Sequence, residues 1–365
     1  MAEPGIYDVA IAGGGPAGAA CGILCAQAGL RTLVLEKALF PRDKVCGDCL
    51  NPGCWPVFRQ LGVAQKLLAS PHLPISRVAF IAANGRRVSF PLDGAAPGEI
   101  AMSRRILDAV LLQHCATAGA DVRQNHGICA LARNSTGLWQ IQTADRSFSA
   151  RQLVAADGRN STVARLLGAA PAARRGRVAI QAHIAVPPGL DPGIELHLLP
   201  QGYCGIAPLA PLTPSSRLMN CCLVATPARL ESLKTAISAR FAIPAAQEWR
   251  AIAPLERAPV GPLRGGVIYV GDAARVVEPF TGEGIYYALH SATLAARHII
   301  THSLDQYPAA HAALYRRRLW INRLARWAVT HPASGAILLR LMSAQPASLR
   351  FLVQRITHPA FQPAG

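Results

Sequence analysis

The chain has 365 residues, 51% of them hydrophobic and 16% charged. That length is too great for one small core, and the apolar fraction excludes a disordered chain, which needs low hydrophobicity and dense charge. Lys+Arg exceed Asp+Glu for a net charge of +17, but no basic run is interleaved with stacking aromatics, so nucleic-acid binding has no motif behind it.

Met1–Gly5 lacks a basic segment, and the chain reaches Asp8 and a glycine cluster too soon for a secretion signal. No run of apolar residues is long enough for a membrane span. The ten cysteines therefore read as reduced thiols of a cytoplasmic protein. Cys46 and Cys49 have a C-x-x-C spacing, but no second pair completes a zinc site, so no metal is expected.

Tyr7–Ala12 is a short apolar run that predicts a buried parallel strand. A helix is expected from Pro16 to Ala28, with Gly29 at its C-cap, and a second buried strand over Thr32–Leu35 ends at Glu36. These elements make one complete β-α-β unit. A loop is expected from Phe40 to Pro56, then a helix near Val57–Leu68. Arg77–Ile81 and Arg87–Leu92 flank Asn84-Gly85, which predicts a two-residue type I′ hairpin.

Ser103–Ala118 reads as an amphipathic helix, and Leu138–Gln142 and Ser147–Val154 as strands returning to the first sheet. Three alternating segments between Val178 and Thr226 predict an antiparallel sheet with one covered face, followed by a helix over Arg229–Phe241. Val267–Val270 is again strand-like, and a helix starts near Gly284. The tail, Tyr307–Thr357, is expected to be helical, with breaks at Pro332 and Pro346.

Gly13-Gly14-Gly15-Pro16-Ala17-Gly18 reads G-x-G-x-x-G between a strand and a helix. Gly13 permits the tight turn, Gly15 lets backbone approach a pyrophosphate, and Gly18 lets the helix pack on the sheet. Glu36, at the end of the second strand, is placed to accept hydrogen bonds from ribose hydroxyls. Alone, this fingerprint does not separate NAD from FAD. Asp157-Gly158 and Gly271-Asp272 each follow a predicted strand, so three strand ends would line one edge. An extended cofactor needs such a third contact, and Asp272 suits the hydroxyls of a ribityl chain. The glycines Gly282 and Gly284 would let backbone amides and a helix N-terminus lie against the flavin's pyrimidine edge, favouring its reduced anion. The alternative for each Asp is a turn or helix cap.

On these residues the chain resembles the FAD-dependent oxidoreductases with the aromatic-hydroxylase fold, a group of single-component monooxygenases, geranylgeranyl-reductase-like enzymes and flavin halogenases. The marks run from Tyr7 to Ile300: GGGPAG with Glu36, FPRDKVCGDCL (Phe40–Leu50), SRRILD (Ser103–Asp108), AADGRNSTVAR (Ala155–Arg165) and GDAARVVEPFTGEGI (Gly271–Ile285). The resemblance implies FAD, with Ala17, Arg104, Asp157 and Gly158 among its contacts. Arg42, in the loop after the first β-α-β unit, is a candidate contact for a mobile flavin. Gly202–Pro208 (GYCGIAP) resembles the strand that faces the flavin in the substrate lobe. Cys46-Gly47 marks the geranylgeranyl-reductase-like and related hydroxylase branch, where the cysteine lies near the flavin ring, so Cys46 is the candidate catalytic residue, with simple packing as the alternative. The tryptophan-rich halogenase motif is missing.

The expected architecture is α/β: a Rossmann-like FAD-binding domain (1–75, 100–175 and 262–300), an inserted antiparallel-sheet substrate lobe (76–99 and 176–261) and a helical C-terminal segment (301–365). Tyr203, Cys204, His183 and His197 are its candidate substrate-lobe residues. The expected activity is a single-component monooxygenase that hydroxylates an apolar aromatic or polyketide-like small molecule. NAD(P)H would serve as a transient reductant, because no second G-x-G-x-x-G is present. The alternatives are a reductase of isoprenoid C=C bonds and an inactive lipid or prenyl carrier. Tyr315-Arg316-Arg317-Arg318-Leu319-Trp320 through Trp327 mixes arginines with large apolar residues and points to an anionic membrane surface as a further partner.

Overall fold

A computed structural model describes residues 5–92, 97–171, 176–187, 193–210, 217–316 and 319–330. Its first layer is an eight-stranded sheet. Thr32–Leu35, Ile6–Ala12, Ser147–Ala155 and Val267–Tyr269 lie side by side and parallel. Strands buried on both faces must be apolar throughout, and Val9–Ile11, Leu33–Val34 and Leu153–Ala155 are fully buried. Helices Pro16–Gln27, Arg104–Thr117 and Gly284–Ile300 cover one face, around a core that includes Ile11, Val34, Leu111, Ile268 and Leu289.

The second layer is a seven-stranded sheet in the order Arg250–Ile252, Val178–Ala185, Leu218–Ala225, Gly202–Leu209, Ile194–Leu199, Arg77–Ala82, Arg87–Pro91. The expectation of an antiparallel lobe holds at every pair but one: Ile194–Leu199 runs parallel to Arg77–Ala82, which brings the early hairpin into the lobe. That hairpin also differs from its two-residue expectation. Only Gly85 has positive φ, and Ala82 N donates to Arg86 O, so the loop has three residues. A turn closed by a left-handed glycine is the next favoured solution.

The expected loop over 40–56 contains more order than the sequence suggested. Cys49–Leu50 and Leu73–Ile75 both pair with Glu99–Ala101 in a small third sheet. The helix expected over 57–68 is two short helices, Trp55–Gln60 and Ala64–Leu68, separated at Gly62, whose φ is +74°. The tail begins with helices Tyr307–Arg316 and Leu319–Thr330. Tyr307 and Tyr315 are buried against the helix Gly284–Ile300, with Tyr315 stacked on Tyr287 at 4.4 Å, whereas Trp320 and Trp327 are exposed. Arg317, Arg318, Pro332 and Pro346 lie outside the described residues. No helix among the described residues is long and apolar enough to cross a membrane.

Candidate functional site: three strand ends facing a lobe

The first corner is set by backbone sterics. Gly13 has φ +100°, and a Cβ there would sit 2.7 Å from the Ala156 carbonyl oxygen. A Cβ on Gly18 would lie 1.8 Å from the Gly13 carbonyl oxygen, so only glycine lets the helix begin this close to the strand. Gly15, at the N-cap, faces open space apart from Arg42 Nη2, and the helix amides after it carry no side-chain cap. Glu36 is buried. Its Oε2 accepts from Gly14 N at 2.7 Å and its Oε1 from Ala38 N at 2.9 Å.

The neighbouring parallel strands bring the other two corners alongside. Asp157 Oδ2 accepts from Val163 N at 3.0 Å and so ties down the helix Thr162–Leu166, while Oδ1 is buried without a partner. Burial pushes the Asp157 carboxyl up, against Ser161 and backbone amides that pull it down. The next residue, Gly158, takes φ +81°. Gly271 N donates to Ser291 Oγ, and a Cβ on Gly271 would touch Ala17 Cβ, so the first and third corners pack directly together. Asp272 is partly exposed, 3.5 Å from Arg159, whose Nε and Nη1 are buried without partners. Gly282 takes φ +67°, and Gly284 opens the 17-residue helix that ends at Ile300.

Three cations crowd the space before these corners. Arg104 forms a two-pronged pair with Asp108, both contacts at 2.8 Å, and Arg42 Nη1 reaches the same carboxylate at 3.1 Å. Lys44 lies above Gly158, 3.4 Å from where a Cβ would be. Burial, and then Arg104 and Arg42, push the Lys44 ammonium down to about 8. Asp108 is shared by two of these cations, Glu36 lies 4.0 Å from Arg42, and the unpartnered Arg159 nitrogens lie beyond. An anion is what this arrangement lacks, and a dinucleotide pyrophosphate beside a free helix N-terminus supplies one. The residues present fit FAD.

Alternation along the lobe's strands divides the four candidate residues there between two faces. Gln181, Cys222, Gly205, Leu196 and Phe80 sit opposite one another across the sheet, and His183 and Tyr203 share their parity. This face looks toward the flavin-binding part. Tyr203 packs edge-on to Phe280 at 5.3 Å, and His183 Nε2 lies 3.0 Å from Asp48 Oδ2. Cys204 and His197, both in the lobe as expected, have the opposite parity and face away from the flavin-binding part. Cys204 is buried with Cys221, Leu233 and Ile237 beneath the helix Pro227–Phe241. His197 pairs with Glu195 at 3.0 Å and packs edge-on to Phe241. Burial tends to raise the Glu195 carboxyl, but His197 and Arg87 hold it below its ordinary value.

Asp48 falls within the Phe40–Leu50 mark but was not singled out as a site residue, although it is the centre of the facing cluster. Buried, at φ +55°, it accepts from Arg104 N at 3.2 Å and from Gln181 Nε2 at 3.1 Å, besides its contact with His183. Gln181 Nε2 also donates to Asn220 Oδ1, and Asn220 Nδ2 donates to the Cys46 carbonyl. The Cys46 thiol lies against the Arg104 guanidinium, and burial raises its pKa, so it stays protonated at neutral pH. Nearby, on the third sheet, burial pushes the Glu99 carboxyl up to about 7. Arg177, also unmarked, joins the lobe to the Glu278 loop with a 2.6 Å ion pair.

Three strand ends converging on a cationic, glycine-walled groove, with a sheet-based lobe in front, define an FAD-dependent oxidoreductase of the aromatic-hydroxylase fold. The FAD binding domain family matches residues 6–306, and the chain belongs to it. Conditioned medium factor receptor 1 of Dictyostelium discoideum is 30% identical over 366 residues, covering 86% of this chain and 67% of that protein. Menaquinone reductase of Mycolicibacterium smegmatis is 28% identical over 380 residues, covering 96% and 92%. Among solved structures, PqsL of Pseudomonas aeruginosa, known as "a probable FAD-dependent monooxygenase", superposes with a TM-score of 0.72 at 20% identity, covering 90% of this chain and 96% of that one.

Proposed function

We propose that the chain is a single-component monooxygenase that hydroxylates a small apolar aromatic or polyketide-like substrate, with NAD(P)H as the electron donor. In this reading Gly13, Gly15 and Gly18 present backbone to the FAD pyrophosphate, with Arg42 and Lys44 as its counter-ions. Glu36 receives a ribose, Asp272 the ribityl hydroxyls, and the Gly282–Gly284 turn the pyrimidine edge of the ring. Bound FAD supplies two-electron transfer and the activation of oxygen.

One observation carries the choice of reaction: an imidazole held by a buried carboxylate, His183 on Asp48, on the face opposite the cofactor groove. Ring hydroxylation is an electrophilic attack, and an ionised ring hydroxyl raises the electron density that it needs. With Nε2–H donated to Asp48, Nδ1 of His183 carries a lone pair that can accept that hydroxyl's proton. The carboxylate fixes the tautomer, as in other Asp–His pairs. Gln181 and Asn220 hold Asp48 in place, while Phe80, Tyr203 and Phe280 supply an apolar, aromatic wall.

A second reading, reduction of a C=C bond in an isoprenoid, is favoured by the near full-length likeness to a menaquinone reductase and by the Cys46 thiol, which burial keeps protonated and so able to supply a proton such as that reduction needs. Oxygen separates the two. NADPH oxidation by the purified protein, stimulated by substrate, is expected to stop in anaerobic buffer. Turnover undiminished without oxygen would replace the monooxygenase by the reductase.

A further inference from the structure

Positive charge and exposed aromatic surface gather in the same part of the chain. No acidic residue follows Asp305, whereas eight arginines do, so the 60 residues after Asp305 and before the end at Gly365, with no lysine among them, carry +8 of the net +17. Of these arginines, Arg316, Arg323 and Arg326 are exposed among the described residues. The helix Leu319–Thr330 has two unlike faces. Asn322 is buried, with Oδ1 accepting from Glu278 N at 3.0 Å and Nδ2 donating to Glu283 Oε2 at 3.1 Å. One turn on, Arg326 pairs with Glu256. These contacts fix the rotation of the helix. Trp320, Leu324 and Trp327, at i, i+4 and i+7, form a stripe on another side, with Arg323 exposed beside it. Trp320 and Trp327 are 46% and 45% exposed, and among the described residues they are the two exposed aromatic side chains.

We propose that the helix Leu319–Thr330 docks the protein on an anionic lipid membrane, with Trp320 and Trp327 seated among the headgroups and the neighbouring arginines against lipid phosphates. Two large aromatic side chains exposed on one helix face mark a contact surface. The chemistry of the partner follows from the side chains and their charge. An indole joins an apolar body to an N–H donor, which suits the headgroup boundary of a bilayer better than its core or bulk water. Arginine stems lie along the apolar layer while their guanidiniums reach the phosphates. A segment of +8 without one carboxylate is drawn to a surface of uniform negative sign, each basic residue near that surface adding roughly fivefold in affinity. The docking helix is tied to the cofactor groove, because Asn322 holds Glu278 and Glu283 at the two ends of the loop that carries Gly282. Docking serves either reaction, since an apolar aromatic and an isoprenoid both dissolve in lipid.

The test is flotation of the FAD-saturated protein with vesicles of phosphatidylglycerol and phosphatidylcholine in equal parts, against vesicles of phosphatidylcholine alone. Partition into the anionic vesicles is expected to be at least about tenfold stronger, and to weaken as salt is raised. Replacing both tryptophans, Trp320→Ala with Trp327→Ala, is expected to lower that partition at least about tenfold. The melting temperature and flavin content should stay unchanged, because both side chains are exposed. The pair Trp320→Phe with Trp327→Phe keeps the aromatic area and should retain most of the binding. Arg323→Glu should weaken binding to the anionic vesicles and leave the phosphatidylcholine value alone. No preference for anionic vesicles, or a preference that neither the double Ala variant nor Arg323→Glu reduces, would overturn the proposal. So would a parent protein that ignores vesicles and loses thermal stability in the double Ala variant, since the stripe would then be covered by this chain's own C-terminal segment. A parent that ignores vesicles and is a dimer by light scattering, but a monomer in that variant, would overturn it in favour of a second copy.

Discussion

The three strand ends are shaped by close backbone approach at glycines, whereas the lobe's sheet is shaped by side chains that alternate between two faces. Gly13 and Gly18 act by what they lack, since any Cβ there would strike a carbonyl oxygen. His183 and His197 act by which way they point, one to Asp48 and the other to Glu195 beneath a helix. A backbone corner therefore fails as a whole when one atom is added. A sheet face fails one residue at a time, and only on the side that meets the ligand.

Substitutions at the corner should have the largest effect. Gly18→Val puts its first added carbon 1.8 Å from a backbone oxygen that has nowhere to go, and is expected to abolish FAD retention and destabilise the chain by roughly 3 kcal/mol. Flavin absorbance of the purified variant and its denaturant midpoint check this. A yellow variant of unchanged stability would mean that the helix does not meet the strand as described.

The next effects separate the lobe's two faces. His183→Gln should keep FAD and fold, and lower kcat about 100-fold, the ordinary size of a general-base contribution. Rescue at raised pH, where a phenolic substrate ionises unaided, marks a lost base rather than lost packing. His197→Gln should do the reverse. Its buried partner Glu195 loses a hydrogen bond, costing about 1–3 kcal/mol, while kcat of the folded enzyme stays put. Equal losses of kcat in both variants would erase the distinction between the faces.

The sequence made the corners legible because their meaning is local. GGGPAG, Glu36, Asp157-Gly158 and Gly271-Asp272 each declare themselves within a few residues, and the parallel strands Ile6–Ala12, Ser147–Ala155 and Val267–Tyr269 then bring them together. The Asp48–His183 pair was not legible, because its members lie 135 residues apart and meet only through tertiary packing. For Cys204 a usable signal existed: Tyr203 and Cys204 are consecutive in a strand, so both cannot face the ligand. Which one does depends on the helix Pro227–Phe241, whose burial of Leu233, Ile237 and Phe241 claims the face of Cys204 and His197. The small third sheet escaped notice because its strands span only two or three residues, too short to show a period.

Lys44 ties the cofactor groove to pH. Its ammonium is pushed down to about 8 in the folded chain from an ordinary value of 10.5, so the unfolded chain binds the extra proton between those limits. Stability of the flavin-free protein should therefore rise over that window, and FAD, whose phosphates favour the charged lysine, should bind less tightly as pH rises through about 8. The most direct measurement is titration of flavin-free protein with FAD at pH 7 and pH 9, followed by flavin fluorescence. One FAD bound per chain, more weakly at the higher pH, is the predicted result; no uptake of FAD at either pH would contradict the assignment of the three strand ends as its site.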